Sequence, residues 1–324
     1  MKKALLTLFI FIFSLPCVHA QKEEDFIVFE TNNKVIYDIC FTDRGEALGI
    51  ADNNAIKVYS TNSKILLNEF TNGHKRQILS IDISKDSTLL VSGGKDSTIV
   101  IWDFVNNEIK ESLSFHKGII TSVQISPDNK YLVSGGTDNK VCLYDLEQNQ
   151  VVHEFTDHKD DITSVKFSPD GVLIATASGD KLINIYEVKN KRLITSLNEH
   201  RSWVRDITFS PDGSRLISCG DDSKVITWNI SDVENIQTEK ISNSGSGWLL
   251  GVDFNEDSIT YVYGGIGGKA KIITHLGDYF VTLNKPIHRI KFKPNEAPNL
   301  IIALATLGKG VILIDAKNMK FKNK

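Results

Sequence analysis

Serine, histidine and aspartate are the side chains of nucleophilic hydrolysis, and this chain carries them at fixed spacing. His74, His116, His158 and His200 follow one another at intervals of 42 residues. Ser92, Ser134, Thr176 and Ser218 keep that interval of 42, and so do Asp96, Asp138, Asp180 and Asp222. A hydroxyl, an imidazole that takes its proton and a carboxylate that orients the imidazole would make an acyl-transfer site. Such catalysis needs one set in one pocket, beside a site for the oxyanion. Here the set is written four times, each copy with an aromatic residue: Trp102, Tyr144, Tyr186 and Trp228. A constant period between 20 and 50 residues is the mark of a repeat architecture, so these residues are read as structural.

The elements between them are short. In the copy from Ile119 to Tyr144, Ile120, Val123 and Ile125 lie in a β-branched run that suits a strand. Ser126-Pro127-Asp128-Asn129 is a turn, because proline presets φ and Asp and Asn bond to the local backbone. Tyr131 to Ser134 is a second strand and Gly135-Gly136-Thr137-Asp138-Asn139 a turn of residues that tolerate positive φ. Val141 to Asp145 and Val151 to Phe155 make a third and fourth strand. Nothing in the unit has a 3.6-residue period.

At this point the sequence resembles the WD-repeat β-propeller family. The resemblance is carried by Gly73-His74, by the turns Ser168-Pro169-Asp170-Gly171 and Ser210-Pro211-Asp212-Gly213, and by Trp102-Asp103 at the end of a third strand. It implies one four-stranded antiparallel blade per repeat, set radially around a channel. At 42 residues per unit, the 324 residues allow about seven blades, in one all-β domain. The resemblance also implies that each His, hydroxyl, Asp and aromatic set forms a buried hydrogen-bond relay. His74, Ser92, Asp96 and Trp102 match that pattern in full, as do His200, Ser218, Asp222 and Trp228. In the copies His116, Ser134, Asp138 and His158, Thr176, Asp180, the shorter phenols of Tyr144 and Tyr186 stand in the Trp place.

Outside the four copies the pattern weakens. Blade one is expected from Val35 to Phe41, Ala47 to Ala51 and Ile56 to Tyr59. Blade six is expected from Trp248 to Phe254, Ile259 to Tyr263 and Lys271 to Thr274, and blade seven from Ile287 to Phe292, Leu300 to Ala305 and Val311 to Ile314. Gly264 to Gly268 lacks the lysine and helix start of a phosphate loop and reads as a turn of blade six. In the family the first strand of the chain completes the last blade, which hides two sheet edges. Phe26 to Phe29 fits that role, and the segment Met319 to Lys324 competes for it.

Met1 to Ala20 has two lysines, a twelve-residue apolar stretch from Ala4 to Leu15, then Pro16 and small residues before Gln21. This is the pattern of a secretory signal peptide, which makes 21–324 the mature propeller. A run of twelve is too short for a bilayer span, which needs about 20 residues. Cys17 invites lipidation, but Pro16 stands where a small residue is wanted. The chain is therefore expected to be exported, to the periplasm, the cell envelope or the outside, with no stable membrane span once the segment is removed. Losing Lys2 and Lys3 moves the formal charge from −3 to −5, which with export argues against a nucleic-acid partner. Cys40, Cys142 and Cys219 then remain, an odd number in different repeats, and read as packed free thiols.

Function is expected on the face that gathers the loops before each first strand and those between second and third strands. That top face carries Arg76, Lys95, Lys117, Thr137, Asp160, Arg201, Trp203, Asp221 and Trp248. Loops on a rigid scaffold are where binding is placed, and Trp and Arg are frequent interface anchors. Trp203 and Trp248 fall at equivalent places in adjacent blades; the plainer role for each is to cover a neighbour's rim. The resemblance points to a non-enzymatic platform that binds another protein. The other reading is a propeller hydrolase or lactonase, or a sugar-binding sensor, at the channel mouth. The pairs Asp160-Asp161 and Asp221-Asp222 lack the spaced oxygens of a calcium loop, and no His/Cys set has metal spacing, so no cofactor or metal is expected.

Overall fold

The computed structural model describes residues 27–29, 31, 35–245, 247–295, 300–308, 310–316 and 320–322. The leader at 1–20, Cys17, Phe26 and Met319 lie outside the described residues. The described residues form a seven-bladed propeller of antiparallel sheets, and no helix among them is long and apolar enough to cross a membrane. Blade two is typical, with strands Ile78–Ile83, Leu89–Gly94, Ile99–Asp103 and Glu108–Leu113 running outward from the axis. The innermost strands of blades one and three to seven are Ile39–Phe41, Ile120–Ile125, Ile162–Phe167, Val204–Phe209, Leu249–Phe254 and Ile287–Phe292. Alternate residues of these strands are buried between blades, so the core is a set of wedges such as Ile81, Leu90, Val100 and Trp102.

The first strand is shorter in blade one than the sequence suggests: Val35 makes only an isolated bridge to Leu307, and pairing starts at Ile39. The double glycines also differ from expectation. Gly135-Gly136 and Gly264-Gly265 end their second strands and are not turn residues. Their reason is space. A Cβ on Gly135 would strike Ile162 and Val165 of the next blade, and one on Gly136 would lie 2.8 Å from the Ile119 carbonyl and 3.1 Å from Asp138. The left-handed residue of that turn is instead Asn139, with φ of 64°. On the opposite face Ser168 Oγ donates to Asp170 Oδ1 at 2.5 Å and Gly171 takes φ of 73°, closing the turn.

The ring closes through the N-terminal strand. Ile27–Phe29 pairs antiparallel with Gly310–Asp315, with Ile27 opposite Leu313 and Phe29 opposite Val311. It is the fourth and outermost strand of blade seven, followed inward by Gly310–Asp315, Ile301–Thr306 and the innermost strand. The competing segment goes elsewhere: Lys320–Lys322 adds a fifth strand to blade six, on Asp278–Thr282.

Candidate functional site

In blade two the four relay side chains touch in series. Trp102 Nε1 donates to Ser92 Oγ at 2.8 Å, and Ser92 Oγ lies 2.8 Å from His74 Nε2. His74 Nδ1 lies 3.0 Å from Asp96 Oδ1. Indole only donates and carboxylate only accepts, so the protons run one way: Trp to Ser, Ser to Nε2, and Nδ1–H to Asp. Asp96 also accepts the Lys75 N–H at 2.7 Å and thereby fixes the loop that carries the histidine. Blade five repeats this, with Trp228 Nε1 3.1 Å and His200 Nε2 2.8 Å from Ser218 Oγ.

The middle blades keep His, hydroxyl and Asp, with a phenol in place of the indole at the last link. His116 Nε2 lies 2.8 Å from Ser134, and His158 Nε2 2.7 Å from Thr176. The Tyr144 hydroxyl turns away and donates to Glu111 of blade two at 3.1 Å. The Tyr186 hydroxyl accepts from Asn184 Nδ2 at 3.0 Å. Burial acts to raise the relay carboxyls, but hydrogen bonds from the histidine and the next backbone N–H outweigh it. Asp138 and Asp180 are held down at about 2. Ser92, Thr176 and Ser218 are 0% exposed and Ser134 1%. No substrate reaches these hydroxyls, so the quartets are not hydrolytic centres.

A second set of side chains at the same period lies on the innermost strands, and the sequence reading passed over it. Asp38, Ser80, Ser122, Ser164 and Asp206 recur at intervals of 42. Each innermost strand has a free edge facing the channel, and these side chains serve it from the preceding blade. Asp38 Oδ2 accepts from Ile81 N–H at 3.0 Å, Ser80 Oγ from Val123 at 3.1 Å, and Ser122 Oγ from Val165 at 3.1 Å. In blade seven the place is held by Arg289. Its Nη1 lies 2.9 Å from Asp206 Oδ1, and its Nε lies 3.0 Å from Asp38 Oδ1 without the alignment of a hydrogen bond. Blade six has Gly251 at this place; a Cβ there would lie 3.0 Å from Ile290 N and 3.3 Å from Arg289 Cα. The glycine lets blade seven approach closely enough for Arg289 to pass to blade five. Burial acts to raise Asp206, but Arg289, Lys291 and Lys166 overcome it and hold Asp206 below the usual carboxylate range.

Above this belt the channel opens on the top face as a cavity of about 440 Å³. The innermost strands of blades two to seven each shift register once near their start, for example between Val204 and Asp206. A bulge re-aims the extra residue, and here those residues line the mouth: Leu79, Thr121, Thr163, Arg205, Leu250 and His288. The walls add Tyr37, Lys95, Asp161, Trp203, Trp248 and Ile266. Arg205 organises one side. It grips Asp221 through Nε at 2.7 Å and Nη2 at 2.6 Å, and its guanidinium lies 4.7 Å from the Trp203 ring centre and 5.9 Å from that of Trp248. Trp248 is 50% exposed. Across the mouth Lys95 Nζ bonds Gln77 at 2.7 Å and sits 5.1 Å above Tyr37, which meets His288 edge-on at 5.7 Å. Burial, then the charge of Arg289, lowers His288.

Of the expected top-face residues, Lys95, Trp203 and Trp248 line the cavity and Asp221 joins them through Arg205. Asp160 and Trp203 both press on Gly179 of blade four, so Trp203 also covers its neighbour's rim. Thr137 is tied within its own loop, accepting the Ile119 N–H at 3.0 Å. Arg76, Lys117 and Arg201 are exposed and do not line the cavity. Tyr37, Arg205, His288 and Arg289 were missed. The signal was present, because Tyr37, Leu79, Thr121, Thr163 and Arg205 also recur every 42 residues. Cys40, Cys142 and Cys219 are buried free thiols, and burial pushes Cys142 up to about 12. Among the described residues no three His, Cys, Asp or Glu side chains gather as a metal site.

Residues 65–103 match the family described as WD domain, G-beta repeat, and residues 88–248 match the second beta-propeller of echinoderm microtubule-associated protein. The chain belongs to the WD-repeat β-propeller family. A comparison with curated proteins finds no match. WD-repeat propellers are commonly protein-interaction scaffolds and typically non-enzymatic.

Proposed function

We propose that this WD-repeat propeller is a non-enzymatic scaffold, exported to the periplasm or cell envelope, that captures another protein around the top-face channel mouth. The observation that carries the reading is the Trp203–Arg205–Trp248 cluster. A guanidinium already fixed by Asp221 lies 4.7 Å from the centre of one indole and 5.9 Å from that of the other, and the second indole is half exposed. Such a pre-ordered aromatic surface costs little entropy to bury against a partner, and Trp and Arg are the residues that most often carry interface energy. Arg76, Lys117 and Arg201 stand exposed on loops of the same face and serve as rim contacts. Export rests on the leader pattern of Met1 to Ala20.

The test is capture by the tagged mature chain, 21–324, from envelope extract, with mass spectrometry of what is retained. Trp203→Ala with Trp248→Ala is expected to lower recovery of the specific partner at least tenfold while the melting temperature stays within a few degrees. Undiminished capture by the double variant removes this face as the site. Recovery of the uncut chain in the cytoplasmic fraction overturns the location.

A further inference from the structure

Blade six is the only five-stranded sheet among the described residues. Its outer strand, Asp278–Thr282, reads Asp-Tyr-Phe-Val-Thr, with no charge after the first residue. The outer strands of blades one, two, three and five each carry Glu or Lys at or beyond their third residue, Glu69, Lys110, Glu154 and Glu239. Those of blade four, Arg192–Leu197, and blade seven, Ile27–Phe29, do not, and of these three edges only that of blade six is covered by a further described strand. Charges of that kind keep an open sheet edge from pairing with foreign strands, and a flat apolar edge without them is a template. Here the edge is covered. Lys320–Lys322 runs antiparallel along it, with Lys322 opposite Asp278, Phe321 opposite Tyr279 and Lys320 opposite Phe280. By register alone, a basic position stands opposite the acidic one, an aromatic position opposite Tyr279, and a second basic position opposite Phe280.

The source of this covering strand follows from the ring closure. The chain leaves the third strand of blade seven at Asp315, where a fourth strand would turn back, but Ile27–Phe29 already fills that place. The segment is surplus to its own blade and lies on the neighbour instead. Four residues, 316–319, join the two, a tether of at most about 14 Å. So short a link holds the strand at high effective concentration, on the order of millimolar. Three residue pairs make a contact that depends on the tether.

We propose that the outer edge of blade six is a strand-acceptor surface for an extended peptide segment of alternating basic and aromatic residues, and that residues 320–322 occupy it as an intramolecular stand-in. A partner segment of that pattern adds to the sheet by main-chain hydrogen bonds, and the acid and aromatic positions of the edge select its side chains. This surface lies on the rim of the ring, apart from the channel mouth, and stands independently of what binds there.

The experiment uses a chain ending at Ala316 and a fluorescent peptide with the sequence of residues 316–324. The peptide is expected to bind the shortened chain saturably, and the full chain at least tenfold more weakly because its own segment competes. A peptide carrying Lys322→Pro, which loses the N–H that faces Asp278 in the ladder, must lose binding, and so must one carrying Lys320→Glu with Lys322→Glu. No binding to the shortened chain, or equal binding to both chains, overturns the proposal. A second measurement does not depend on the shortened chain folding. In the full chain, Lys322→Pro is expected to speed amide exchange at Asp278 and Phe280, whose N–H groups face the added strand, at least tenfold and leave Leu249–Phe254 unchanged. Unchanged exchange at those two amides equally overturns it.

Discussion

Blades two to five and the closing blades six, seven and one are the same architecture held in two ways. The first group braces each sheet internally: His, hydroxyl and Asp lie within one blade, and the linkage from His74 to Asp96 is repeated at His116, His158 and His200. Among the described residues the second group has no such quartet, and charges that cross from blade to blade tie it instead. Lys291 Nζ of blade seven lies 3.1 Å from Asp253 of blade six, and Arg289 reaches both blade one and blade five. An internal brace can be copied with each repeat, because its partners are copied too. The seam is a single event in the chain, so its ties are particular to it.

The comparison breaks most sharply at Arg289. Arg289→Met leaves the buried Asp38 and Asp206 without the guanidinium that pairs them, and a loss of about 3–5 kcal/mol in denaturant unfolding is expected. A loss no larger than that of a relay residue would mean the seam is no more dependent on charge than the repeats.

Asp138→Ala strands the His116 Nδ1–H and the Lys117 N–H, and a loss of about 1–3 kcal/mol at pH 7 is expected. Its pH dependence sharpens the contrast. Asp138 is held at about 2 in the fold, below an unfolded value near 3.9. Its contribution is therefore present above about pH 4 and is lost as pH falls through about 2, so wild type and variant should converge in acid. Asp82, beside the axis, has the opposite sign: burial raises it to about 6. Its contribution is present below about pH 4 and lost as pH rises through about 6. Asp82→Asn should flatten the stability profile between those values, measured by thermal melts across pH; a variant with the wild-type slope would refute this.

The smallest effects separate the two kinds of relay. Trp102→Phe removes the only indole donor to a buried Ser92 and should cost about 1–2 kcal/mol. Tyr144→Phe removes a hydrogen bond to Glu111, partly exposed, and should cost about 0.5 kcal/mol. Equal losses in chemical denaturation would mean that the Trp link adds nothing to its blade.

Much of this was readable from the residues. The period of 42 located blades two to five, and the apolar runs placed the others to within two residues, save the first strand of blade one, which begins four residues later than the run suggests. The relay partners were legible because polar residues recurring among apolar ones need a shared reason. The channel mouth was not. Arg205, His288 and Arg289 lie within innermost strands that read as apolar runs; the period of 42 marks the column that holds Arg205, and the register shift is what turns that column toward the axis. The double glycines were taken for turn residues because glycine permits positive φ, whereas Gly135 is small to admit Ile162 of the adjoining blade. Which end of the chain completes blade seven was undecidable from composition, since both segments are short and partly apolar. Pairing between Phe29 and Val311 decides it.

That pairing dictates an order of assembly. Ile27 meets Leu313 across 286 positions of sequence, so a strand made before the innermost strands of all seven blades waits for the last blade to be matched. Until synthesis has passed Asp315, the ring is an open arc with a bare sheet at either tip. Any factor that cradles the newborn chain must shield those tips, and a break anywhere near residue 30 would leave the arc permanently unlatched.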